Sequence, residues 1–270
     1  MINIRKLIYP WRYLFLSLCC LLLITACNTL APNTQSDNKS LKVATDPTFI
    51  PFEFQTPQGE LVGFEIDLMR AIAQAVGLTV NFESLPFDGM ISTLQAKRVD
   101  AAISGITITK ERLKTIAFSR PYFKAGLAIT VREDNQDIKD FNSLQEKKIG
   151  VQIGSTGADF AKTIPNAKII TYNSGPDFFQ DLHNGNIDAV ISDAFATLYA
   201  VKNGNLKGLK VVADLLTEEY YGIATPQNSP HLDAINKGID IVLSNGTYKQ
   251  IYQKWFNVEP SQLPVELPLK

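Results

Sequence analysis

Apolar and polar positions alternate along this chain in a plan that is laid down twice. Leu41-Lys42-Val43-Ala44-Thr45 alternates as a strand and runs into a loop from Asp46 to Pro51. Gly63-Phe64-Glu65 then leads into a helix whose Leu68, Ile72 and Val76 share one face, stopped by Gly77, a residue suited to the left-handed position after a helix. Thr79 to Glu83 is strand-like. The plan returns with strand Lys148 to Gln152, the turn Gly154-Ser155-Thr156-Gly157, a helix from Ala158, strand Ala167 to Thr171 and a helix ending at His183. After a strand from Leu209 to Ala213, the segment Tyr220 to Ala224 is extended. Two helical patterns follow, one through Leu232, Ile235, Ile239, Val242 and Leu243 to the stop Asn245-Gly246, the other from Tyr248 to Phe256. Strands that alternate with helices predict an α/β fold built of βαβ units and mostly parallel sheets.

One segment is echoed outright. Val99-Asp100-Ala101-Ala102-Ile103-Ser104-Gly105 matches Ile187-Asp188-Ala189-Val190-Ile191-Ser192-Asp193, and each copy follows a short amphipathic stretch, Met90 to Lys97 or Phe178 to His183. Ligands of open α/β sheets bind beyond the carboxyl ends of the strands. The echo therefore predicts two lobes facing one cleft, lined by Ser104, Gly105, Ser192 and Asp193; two core strands of a single sheet are the alternative.

The chain begins with Arg5, Lys6 and Arg12, an apolar run from Tyr13 to Ala26, and then Cys27. A basic start and an apolar stretch too short for a comfortable span predict a signal peptide over 1–26. Ile24-Thr25-Ala26-Cys27 resembles a lipobox, which makes Cys27 the expected lipidated N-terminus and 27–40 a polar tether. Cys19 and Cys20 would leave with the signal, so Cys27 has no disulfide partner and the exported part must be held by its core. The formal net charge of −1 becomes more negative once the basic leader is removed. With no basic stripe, nucleic acid is not an expected partner. His183 and His231 lie in helical surface patterns, and neither a metal nor a cofactor is expected.

Several residues carry candidate chemistry. Gly105 to Arg112 leaves the first echoed strand and opens a helix with Thr109 as N-cap; Arg112 then sits where the helix dipole disfavours a cation, unless an anion is held nearby. A surface pair with Glu111 is the simpler account. The Gly154 to Gly157 turn offers N–H groups to an anion but lacks the lysine and spacing of a nucleotide loop. Asp193 is a candidate partner for an ammonium and equally a helix N-cap. Asp46 stands among aromatics, of which Phe49 and Phe87 are candidate pocket walls, while Phe52 and Phe54 belong to the core.

These motifs resemble a known family as a set. Ala44-Thr45-Asp46 through Pro51-Phe52-Glu53-Phe54, Gly63-Phe64-Glu65-Ile66-Asp67-Leu68, Ser104-Gly105-Ile106-Thr107-Ile108-Thr109 with Arg112, and Asn245-Gly246-Thr247-Tyr248 with Lys254-Trp255-Phe256 are similar to the family 3 extracellular solute-binding proteins. The resemblance spans Leu41 to Phe256. It implies a two-lobed periplasmic-binding-protein-like fold of type II with a ligand cleft between the lobes. The chain would cross between lobes twice, near Tyr122 to Gly126 and near Leu216 to Tyr221. Lobe 1 would be discontinuous (41–123 and 220–258), lobe 2 would span 124–219, and 259–270 would form a tail.

By the same resemblance, Arg112, Thr107 and the Thr156-Gly157 turn hold an α-carboxylate. Asp193 and the Gly105 carbonyl take an α-ammonium, Phe49 and Phe87 sandwich the side chain, and Asp46 reads its tip. The implied ligand set also contains Ser104, Ile106, Ile153 and Ser192; Ile153 and Ser192 stand where some glutamine receptors carry a lysine and a histidine. The implied function is capture of a free polar L-amino acid by lobe closure, as a monomer, for delivery to an ABC importer permease. The implied place is a lipid anchor at the outer face of the cell membrane or in the periplasm. Glutamine ranks first, a basic amino acid second and acidic ligands last. A cyclohexadienyl or arogenate dehydratase on the same scaffold, or a sensor working with a membrane receptor, are the alternatives.

Overall fold

A computed structural model of the chain describes residues 40–212 and 215–265. The expected signal peptide, Cys27 and most of the tether lie outside the described residues, as do Ala213, Asp214 and the last five residues.

In chain order the strands are β1 (Ser40–Thr45), β2 (Thr48–Phe49), β3 (Glu53–Gln55), β4 (Leu61–Val62), β5 (Thr79–Ser84), β6 (Ala101–Ala102), β7 (Ile116–Phe118), β8 (Phe123–Ala125), β9 (Leu127–Arg132), β10 (Lys148–Gln152), β11 (Lys168–Tyr172), β12 (Ala189–Asp193), β13 (Leu209–Val212), β14 (Glu219–Tyr221) and β15 (Ala224–Pro226). The helices are α1 (Phe64–Ala75), α2 (Met90–Gln95), α3 (Thr156–Ala161), α4 (Gly175–His183), α5 (Ala194–Lys202), α6 (Leu232–Ser244) and α7 (Thr247–Phe256).

The two-lobed α/β architecture is present, and the two halves are built alike. One sheet has the order β5-β1-β6-β15-β7 and the other β11-β10-β12-β9-β13. In each, the first three strands are parallel with the echoed strand third, and one neighbour runs antiparallel. Between the sheets β8 pairs antiparallel with β14, with Glu219 opposite Ala125 and Tyr221 opposite Phe123. The chain thus passes from the first sheet to the second through β8 and returns through β14.

The echoed strands differ in length. The first keeps only Ala101 and Ala102 in the ladder, because Ser104 and Gly105 turn away to bond with buried acids from β3 and α1. Gly105 has φ +55°, and a Cβ there would lie 2.8 Å from the Phe49 ring. The helix expected from Thr109 is a single 3₁₀ turn, Arg112–Lys114: the Thr109 hydroxyl does accept from the Arg112 N–H at 3.1 Å, but β7 begins at Ile116. In the second lobe α3 starts at Thr156 rather than Ala158, since Ser155 is its cap and accepts from the Ala158 N–H.

An aromatic cluster holds the crossing region. Phe52 is fully buried, stacks on Phe49 at 4.9 Å and packs edge-on against Phe123, Phe64 and Tyr221. Phe195 of α5 enters the same cluster, 4.7 Å from Phe256 and 5.1 Å from Phe123. Helices α6 and α7 complete the first lobe by packing on α1. Gly238 permits the close approach, since a Cβ there would stand 2.6 Å from the Ile72 carbonyl oxygen.

Candidate functional site

The carboxyl ends of β1, β6, β10 and β12 open on one cavity of about 550 Å³ between the two sheets. Its lining includes Asp46, Phe49, Phe87, Ser104, Gly105, Thr107, Arg112, Thr156, Gly157, Ser192 and Asp193, as the sequence leads one to expect. Two exposed residues of the second lobe, His183 and Lys207, also line it.

Arg112 dominates one end. Nη1 donates to the Thr107 carbonyl at 2.7 Å and Nη2 to the Gly154 carbonyl at 2.9 Å, so one guanidinium touches both lobes. Its carbon lies 5.8 Å from the Phe87 ring centroid, within cation–π range. Burial pulls the Arg112 pKa down, and the nearby Glu219 and Asp159 oppose that pull. Thr156 and Gly157 form the first turn of α3, where backbone N–H groups have no intrahelical acceptor.

Asp193 marks the opposite side. Oδ1 accepts from the Ala196 N–H and Oδ2 from the Tyr221 hydroxyl, each at 2.6 Å. The acid is therefore an N-cap of α5 and a cleft carboxylate at once. Burial pushes its pKa up to about 6, tempered by those two donors and reinforced by Glu219. Ser192 shares a hydrogen bond with Thr197 at 3.0 Å.

At the third corner, Asp46 Oδ1 accepts from the Thr48 hydroxyl at 2.9 Å, and Oδ2 accepts from the Phe87 N–H at 3.2 Å and from Gln152 Nε2 at 3.4 Å. Burial raises this carboxyl too. The Asp46 N–H donates to Ser104 Oγ at 3.0 Å, which ties the β1 loop to the end of β6.

Two expected residues are elsewhere. Ile106 is fully buried and packs with Met90, Leu94 and Ala102 in the core of the first lobe. Ile153, the first residue beyond β10, does not line the cavity, whereas Gln152, the last residue of that strand, does. Sequence reasoning also missed Glu219. Its Oε2 accepts from Thr107 Oγ1 at 2.8 Å and Thr156 Oγ1 at 2.9 Å, one threonine from each lobe, and Oε1 accepts from Thr217 at 3.1 Å. A signal was available: Glu218-Glu219 sits in a strand-like crossing, where alternation sends one acid to solvent and the other inward.

Residues 41–258 match the family described as bacterial extracellular solute-binding proteins, family 3. The L-cystine-binding protein TcyJ of Escherichia coli K12 is 32% identical over 230 residues, covering 84% of this chain and 86% of its own. A solved structure of an ancestral arginine-binding protein bound to arginine has 42% identity and a TM-score of 0.77, covering 81% of this chain and 98% of that one. Another, of an ancestral arginine-binding protein bound to glutamine, has 42% identity and a TM-score of 0.75, covering 82% and 99%.

Proposed function

We propose, from the premise that this chain belongs to the family 3 extracellular solute-binding proteins, that it captures a free cationic L-amino acid, of arginine type, for an ABC importer permease. Amino-acid binding for import is the work of this family; the choice of ligand is our reading. The observation that carries it is the charge of the inner cleft. Three carboxylates, Asp46, Asp193 and Glu219, surround the cavity with Arg112 as their inner counter-charge. His183 and Lys207, which also line it, are exposed, and solvent screens them.

A ligand with one carboxylate and two cationic groups complements that set better than a net-neutral one. Uncompensated charge in a partly desolvated cleft is costly. Arg112 and the first-turn N–H groups of α3 would hold the α-carboxylate, and Asp193 the ammonium. A planar guanidinium would lie between Phe49 and Phe87 toward Asp46. This reading puts a basic ligand ahead of glutamine, the reverse of the order expected from the sequence. Gln152 beside Asp46 is the feature that keeps glutamine second, since an amide can exchange hydrogen bonds with both.

Binding would proceed by closure. Residues from both lobes must touch one small molecule, so contacts complete only when the lobes approach. Lobe 1 (41–123 and 220–258) and lobe 2 (124–219) would move about β8 and β14. The chain would act as a monomer, lipid-anchored through Cys27 at the outer face of the cell membrane or in the periplasm. No bond is made or broken in this account.

Calorimetry of the purified chain with arginine, lysine, glutamine, cystine and glutamate tests it. Arginine should bind tightest and glutamate not at all. Glutamine preferred over arginine by tenfold would overturn the ligand, and no binding of any amino acid would overturn the function.

A further inference from the structure

Two acids that the binding chemistry does not use lie under the cleft floor. Glu53 of β3 and Glu65 of α1 are both 0% exposed. Glu65 Oε1 accepts from the Tyr122 hydroxyl at 2.6 Å and from the Gly105 N–H at 2.9 Å. Glu53 Oε1 accepts from the Ser104 hydroxyl, but Glu53 Oε2 has no donor among the described residues. A buried acceptor without a partner calls for an explanation. Ser104 and Gly105 are consecutive residues, so the two carboxyl groups that hold them are neighbours in one buried space, and a hydrogen bond between the two acids can form only if one of them carries a proton.

The surroundings leave no other remedy. The groups that face the pair are the hydroxyls of Tyr122, Tyr221 and Ser104, the Gly105 N–H, and the acids Asp46 from the β1 loop and Asp193 from the end of β12. No lysine, arginine or histidine of the described residues donates to either carboxylate. Like charges in contact with no cation cannot both persist away from water.

We propose that Glu53 keeps a proton on Oε2 and donates it to Glu65, and that Glu65 in turn gains or loses its own proton according to the charge of the cleft above it. The pair thereby couples amino-acid binding to proton release. Burial raises both acids, Glu65 to about 7. Asp193 raises Glu65 further and Asp46 raises Glu53, because each adds negative charge nearby. A cationic ligand would neutralise those two aspartates, remove their repulsion and favour ionised Glu65, so the bound state holds fewer protons than the free one. The roles are unequal because Glu65 has two protein donors to stabilise its charge and Glu53 only one.

This rests on the cationic-ligand reading above, and the experiment separates the two. Arginine is titrated by calorimetry into the full chain at pH 7.2, where Asp193 is already largely ionised, in two buffers of different ionisation enthalpy. Wild type should release roughly 0.3–0.4 proton per arginine bound. Glu65→Gln should bind with release cut to about 0.1 or less, whereas Glu53→Gln, which mimics the protonated acid and still donates, should keep the wild-type release. No release from wild type, or equal release from wild type and Glu65→Gln, overturns the coupling. Infrared spectra with no amino acid present give the second arm. A neutral carboxylic acid band at pH 7 should vanish in the Glu53→Gln/Glu65→Gln double variant, and its absence from wild type overturns the shared proton even if arginine does not bind.

Discussion

The Arg112 guanidinium donates to the Gly154 carbonyl oxygen at 2.9 Å across the cleft, while its other terminal nitrogen holds Thr107 of its own lobe. A bound α-carboxylate would join this bridge rather than create it. Arg112→Ala should therefore lower affinity for the best amino acid by about 100-fold, close to 3 kcal/mol, with the fold retained. Calorimetry alongside circular dichroism checks both halves; a loss under threefold would remove Arg112 from the site.

Asp193 links stability and binding with opposite signs. Its folded pKa, about 6, lies above the ordinary value near 3.8. Its favourable contribution is thus complete below pH 3.8 and is lost as pH rises to 6, leaving an ionised, strained acid at pH 7. Asp193→Asn retains the cap and the Tyr221 bond, so without ligand it should be more stable at pH 7 by about 1 kcal/mol while losing most affinity. For wild type, affinity should fall as pH drops below 6. Thermal melts and titrations between pH 5 and 8 read both, and a pH-independent affinity would contradict the ammonium assignment.

Glu219→Gln removes a charge but keeps an oxygen for Thr107 and Thr156. The preference for arginine over citrulline, its neutral analogue, should shrink by about tenfold. Equal weakening of both ligands would mean that Glu219 serves lobe contact alone.

Spin labels at the exposed positions Lys110, before the 3₁₀ turn of the first lobe, and Lys162, at the end of α3, report lobe motion. Their separation should shorten and its distribution narrow when arginine is added. An unchanged distribution at saturation would rule out closure.

Cys27→Ser should release the protein from membranes without altering affinity. Mass spectrometry that finds an unlipidated Cys27 in the wild-type protein would end the anchor proposal.

Most of the frame was legible because it depends on periodicity and on turn residues. The helix ending at Gly77 and the paired strands follow from local rules, as does the Thr109 hydroxyl's bond to the Arg112 N–H, although the helix expected after it is only a 3₁₀ turn. What failed depended on which way a residue points. Gln152 and Ile153 differ by one position, and only the strand's pairing decides which faces the cavity. Glu219 and its neighbour Glu218 look alike in sequence until β8 fixes the facing side of β14. Glu53 and Glu65 were invisible for a stronger reason: acids are almost never fully buried, so composition argues for the surface and only tertiary packing can overrule it.

The return of the chain to its first lobe has a consequence for biosynthesis. Strand β15 lies between β6 and β7, so the first sheet cannot be completed until residue 226 has been made, whereas every strand of the second sheet is present by residue 212. Until then β6 and β7 lack the strand that belongs between them, and the helices that cover α1 do not yet exist. During synthesis and export the older half of the molecule is the one with open strand edges and uncovered apolar surface, the features on which misassembly depends. The second lobe, assembled from one uninterrupted stretch, is the part that can close its sheet first.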